Sequence, residues 1–150
     1  MNVVNLILVG LLSCAVYTDI RQTRISNRLI VSGLIIGFIF RLYSDGLMGV
    51  LFYVSNILIP VIFLYLLFQM RALGAGDIKL FSMLGAFISI ERLLRVMVLA
   101  FFVAALLGIC KIAYQFFGLK YELGKLTRIH FSPAILIAYI LVAGGGLWQK

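Results

Sequence analysis

The chain has 150 residues, 64% of them hydrophobic and 12% charged, with a mean hydropathy of +1.17. A soluble domain is about half apolar and about a quarter charged, so a water-soluble core is excluded and the class is integral membrane protein. The net charge of +8, from 13 Lys and Arg against 5 Asp and Glu, would suggest nucleic acid in a soluble protein; here the cations fall in short stretches between apolar runs, without an aromatic-interleaved basic patch, and read as topology signals and anionic-lipid contacts.

A spanning helix needs about 20 mostly apolar residues. The first apolar run predicts helix 1 over 3–18. It lacks the basic n-region and the small-x-small cleavage site of a secretory signal, so it reads as a retained span; the stretch Leu11–Cys14 ("LLSC") is not taken as a lipoprotein box. Asp19 closes this run and is followed by "DIRQTRISNR", with Arg21, Arg24 and Arg28. Helix 2 is expected over 29–43, then "YSDGL", where Asp45-Gly46 is ordinary turn chemistry, then helix 3 over 47–70. "RALGAGDIKL", residues 71–80, leads into helix 4 over 78–92. Its apolar part, "IKLFSMLGAFISI", is about 20 Å long against a bilayer core of about 30 Å. Helix 4 therefore either continues through Glu91 and Arg92 or is a short helix in a thinned region. Helix 5 follows over 93–117, then a basic loop with Lys120, Lys125 and Arg128 around Glu122, then helix 6 over 131–148.

Six helices place Arg21, Arg24, Arg28, Arg71, Lys79, Lys111, Lys120, Lys125 and Arg128 on one side. Arg41, Arg92, Arg95 and Lys150 lie on the other. The positive-inside rule then makes the first side cytoplasmic and leaves both termini outside. No linker, internal repeat or soluble extra domain is evident, so 1–150 reads as one membrane-embedded domain. Cys14 and Cys110 lie inside apolar runs without CxxC spacing and read as small buried residues. His130 is the only histidine, which excludes a His-rich metal site within one chain, and no metal or cofactor is expected. Gly144–Gly146 reads as small-residue packing or a helix end.

The carboxylates carry the chemistry. Asp45, Glu91 and Glu122 read as solvated or paired surface charges. Asp19 and Asp77 differ, because each stands where an apolar run meets the same predicted face. Acids at membrane depth are costly and mark function. Either one alone reads equally well as a helix cap or an interfacial ion pair. Two that converge could form a dyad in which one carboxyl stays protonated while the other activates a water.

The neighbouring residues carry a resemblance. "GAGD" followed by "IKL" resembles the GxGD motif of intramembrane aspartyl proteases. "DIRQTRISNRLI" resembles the segment of bacterial type IV prepilin peptidases in which an Asp precedes a basic loop ending in Ile-x-Asn, here Ile25-Ser26-Asn27, with Ser26 where the family often has Pro. "RIHFSPAILIAY" is similar to that family's Pro-Phe-x-Pro-rich helix start; Pro133 matches and His130 stands in place of the first Pro. The resemblance spans essentially the whole chain. It implies an all-α bundle of six transmembrane helices with its active site at the cytoplasmic face of a prokaryotic inner membrane. It also implies an aspartic-type endopeptidase that removes the short basic leader from prepilin or pseudopilin precursors, with Asp19 and Asp77 catalytic. Without a CxxC-bearing domain before helix 1, the chain resembles the short peptidases of Flp/Tad-type pilus systems.

Supporting roles are expected at five further positions. Gly74 and Gly76 would permit unusual backbone angles and close approach of a substrate strand. Lys79 would either tune Asp77 or bind lipid phosphate, and Asn27 and Pro133 would shape the loop and the helix start. Partners are the precursor peptide and membrane lipids, not nucleic acid. The alternatives are an archaeal preflagellin-type peptidase and a non-enzymatic transporter or assembly subunit using the two acids as relay or structural groups. Presenilin-like proteases share GxGD but are much longer.

Overall fold

The computed structural model describes residues 3–22, 24–70, 73–117 and 131–145. Among them the chain forms five α-helices and no strand: α1 (Val3–Gln22), α2 (Asn27–Gln69), α3 (Ala75–Gly85), α4 (Ile90–Phe117) and α5 (Ser132–Gly144). The basic stretch with Lys120, Glu122, Lys125, Arg128 and His130 lies outside the described residues, as do Arg71, Gly146 and Lys150.

The all-helical expectation holds, but the six-helix count does not emerge as drawn. Three helices, α1, α2 and α4, are long and apolar enough to cross a membrane. The expected helices 2 and 3 fall within the single 43-residue element α2. That element is not straight. Gly46 has φ 59° and ψ −144°, a conformation open to glycine and strained for a residue with a Cβ. Nineteen residues of straight helix would separate Leu34 from Tyr53 by roughly 28 Å, yet the Tyr53 hydroxyl donates to the Leu34 carbonyl at 2.9 Å. The Tyr53 ring also meets Phe38 edge-on, with centroids 5.5 Å apart. The chain therefore doubles back at Gly46 into two antiparallel arms, 27–45 and 47–69. Arg41 braces the bend by pairing with Asp45 at 3.0 Å.

Of the two readings open for helix 4, the short helix holds, with different bounds from those expected. It spans 11 residues, Ala75–Gly85, and Glu91 and Arg92 belong to the first turn of α4. The chain turns through 86–89, with the Ala86, Phe87 and Ile88 N–H groups closing onto the Ser82, Met83 and Leu84 carbonyls. An acid in a helix's first turn is favoured by the positive end of the dipole, so Glu91 suits a start better than an end. Its carboxylate pairs with Arg95, one turn on.

Short as it is, α3 lies within the core, to which all five helices contribute. Leu80, Phe81, Met83 and Leu84 are fully buried, and α3 packs chiefly on α2. In lipid, burying apolar groups adds little drive between helices, so close van der Waals packing over small residues must do the work. A Cβ added at Gly33 would lie 2.5 Å from the Met83 sulfur, one at Gly37 2.7 Å from the Ala86 Cβ, and one at Gly85 2.2 Å from the Asn56 carbonyl oxygen. Both helices thus use glycine where they touch. α5 closes the bundle against α4 and α1.

The far end of the bundle is tied at one atom. The Ile88 carbonyl accepts from Arg41 Nη2 at 3.2 Å and from buried Asn56 Nδ2 at 3.0 Å, one donor from each arm of α2. The opposite end gathers the end of α1 and the starts of α2, α3 and α5.

Candidate active site

Asp19 is placed by helix periodicity. Leu8, Leu12, Ala15 and Asp19 are the buried residues of α1, spaced to form one inward stripe, and Asp19 is its last member. The helix continues to Gln22, with Arg21 stacked on the Tyr17 ring at 5.1 Å. Asp19 is only 9% exposed, although it stands within a turn of the helix end.

Asp77 lies in the first turn of α3, where the helix field favours an acid. Gly74 is the N-cap residue, and its carbonyl accepts the Asp77 N–H at 3.1 Å. The expectation of unusual glycine angles fails here. Gly74 is extended, with φ −79° and ψ 147°, and among the described residues the only glycine with positive φ is Gly46. What these two positions provide is close approach, since a side chain at either would press on its neighbour. A Cβ on Gly74 would stand 3.1 Å from Asp77 Oδ2, and one on Gly76 would stand 3.1 Å from Ile25 Cδ1. Gly76 thus admits the α1–α2 connection.

The Lys79 ammonium donates to Asn27 Oδ1 at 2.9 Å. This joins two residues singled out separately in the sequence, and with the Gly76–Ile25 contact it ties the start of α2 to the start of α3. Pro133 stands in the first turn of α5, where its fixed φ suits a helix start and its missing N–H leaves nothing unsatisfied.

Two residues not anticipated as site residues stand beside Pro133. Ser132 is fully buried, and its hydroxyl donates to Asp19 Oδ2 at 2.5 Å. Phe131 packs against Phe81 and Phe101, with ring centroids at 6.2 and 5.3 Å. It also lines a cavity of about 520 Å³ whose wall includes Asp77, Gly74, Leu73 and Ala104. Asp77 is the only ionisable group among the described residues that line that cavity. The start of α5 therefore bonds one acid through Ser132 and borders the other acid's cavity through Phe131. The hollow can accept an extended apolar segment, and the Asp77 carboxyl in its wall can deliver or remove a proton there.

No curated protein and no solved structure matches the chain. The profile of the type IV leader peptidase family matches residues 6–109, a stretch that holds both Asp19 and Asp77 and most of the helices described above. The match and the membrane-spanning helices agree with the resemblance carried by "GAGDIKL" and "DIRQTRISNR", and the chain belongs to the type IV leader peptidase family.

Proposed function

We propose that the protein is a membrane aspartyl endopeptidase that removes the short basic leader from a type IV, Flp-like prepilin or pseudopilin precursor, with Asp19 and Asp77 as its catalytic pair. The observation that carries the reading is the start of α5, which holds Asp19 through Ser132 and walls the Asp77 cavity with Phe131. Family membership makes peptide hydrolysis the chemistry to be accounted for. One carboxylate takes a proton from water as the water oxygen attacks the scissile carbonyl. The protonated partner polarises that carbonyl, and the leaving nitrogen receives a proton as the C–N bond breaks. The products are the leader with a new carboxylate and the mature chain with a new amine. The hollow beside Asp77 receives the apolar segment that follows the leader.

In this reading the two arms of α2 count separately, and with α1, α3, α4 and α5 they make a bundle of six helical segments, α3 being a short one in a thinned region. The chain forms one membrane-embedded domain whose basic loops hold the site at the cytoplasmic face of the inner membrane, with both termini outside. The test is cleavage of a prepilin-type precursor by the full chain in lipid nanodiscs, alongside Asp19→Asn and Asp77→Asn. Wild type cuts once, between leader and apolar segment, and each variant loses at least about 10³-fold in rate, as when one member of a catalytic set is removed. Retained cutting by both variants refutes the aspartyl mechanism.

A further inference from the structure

Ser132 stands at the start of a helix, where a serine usually caps the free N–H groups of the first turn. It does not do so here: the N-cap residue of α5 is Phe131, and that helix start carries no side-chain cap hydrogen bond. The hydroxyl is directed instead to Asp19 Oδ2, 113 residues away in the chain, at the short end of the O–H···O range. Both groups are buried, so water does not compete freely for either. Asp19 also lies in the last turn of α1, where the local helix field opposes negative charge and a donor to the carboxyl is most useful. The hydroxyl itself is held on both sides. Pro133 fixes the backbone after it, and Phe131 before it is wedged between Phe81 and Phe101.

We infer that Ser132 is a positioning residue, resting on the protease reading above, which holds the Asp19 carboxyl in one rotamer so that Asp19 can act with Asp77 on the same water. Ser132 itself touches neither water nor peptide in the reaction. The small rotation it prevents is the kind of misplacement that lowers turnover by up to about 10²-fold. It acts on turnover more than on binding, because the cavity walls that would hold the peptide are otherwise unchanged.

The experiment uses the full chain in nanodiscs with a synthetic peptide carrying a basic leader before an apolar segment. Wild type, Ser132→Ala and Ser132→Thr are compared in kcat, KM, the pH profile of kcat and thermal unfolding. Ser132→Ala is expected to lower kcat roughly 10- to 100-fold with KM within about 2-fold, and to move one limb of the pH profile. Ser132→Thr, which keeps the hydroxyl, restores kcat to within about 5-fold of wild type. Two results overturn the inference: Ser132→Ala with wild-type kcat and pH profile, or both variants equally unstable with unchanged kcat per folded molecule. A wild type that cuts no such peptide overturns the protease reading, and is told apart from those results because it precedes any comparison of variants.

Discussion

Replacing Gly85 with alanine tests whether α3 is the packed centre of the fold. An added Cβ would lie 2.2 Å from the Asn56 carbonyl oxygen and 2.9 Å from its carbon, both backbone atoms of the second arm of α2. Ordinary van der Waals contact begins near 3.4 Å, so the arm or α3 must retreat by roughly 1 Å. Overpacking of this kind costs about 1–3 kcal/mol. The retreat also pulls on the buried Asn56 Nδ2–Ile88 carbonyl hydrogen bond, and leaving those groups unsatisfied adds about 1–3 kcal/mol. Alanine's better helix propensity returns about 0.5–1 kcal/mol. The expected net loss is roughly 1–5 kcal/mol, read as a lowered midpoint of thermal unfolding in detergent. Gly10 is the internal control. It lies in the middle of α1 with nothing within 4 Å of an added Cβ, so Gly10→Ala should stabilise by about 0.5–1 kcal/mol. If Gly85→Ala unfolds at or above the wild-type midpoint, the close approach of α3 and α2 is wrong.

Gly74→Ala should leave stability within about 1 kcal/mol, because φ −79° and ψ 147° suit alanine, yet its Cβ at 3.1 Å would displace the Asp77 carboxylate. A shift of a few tenths of an ångström should lower the rate of precursor cleavage roughly 10-fold, and unchanged cleavage would show that Asp77 does not act from the position seen. Tyr53→Phe removes the hydroxyl that joins the two arms of α2 while keeping the ring contact with Phe38. It should cost about 0.5–1.5 kcal/mol in thermal unfolding, and no loss would mean that the arms are not tied there.

Much of this was legible from the residues. The apolar runs announced a helical membrane protein, and Asp45-Gly46 announced the bend in α2. The spacing of Leu8, Leu12 and Ala15 would have predicted an inward Asp19 had the stripe been followed to its end. What failed had local causes. Residues 86–89 turn without a proline or glycine between Gly85 and Ile90, so the sequence offered no stop between two apolar helices. The residues alone therefore leave open whether helix 4 runs on through Glu91 and Arg92 or stops short of them. Gly74 and Gly76 suggested unusual backbone angles, but what matters is which neighbour stands where a Cβ would be, and that is a tertiary fact. Ser132 could not be assigned from local pattern, since serine before proline at a helix start reads as a cap and its partner belongs to α1.

The Ile88 carbonyl, held by Arg41 and Asn56 from the two arms of α2, has a mechanical consequence. With both arms of α2 joined to Ile88 at one end, the hairpin and α3 behave like a pair of tongs riveted at the base. Sideways strain from an arriving apolar helix displaces the arms least near Ile88 and most near Ile30, Tyr65 and Lys79, which together border a second hollow of about 350 Å³. At the tips α2 and α3 are joined by the Lys79–Asn27 hydrogen bond, exposed to solvent, beside the Gly76–Ile25 contact, whereas the tie at Ile88 includes the buried Asn56.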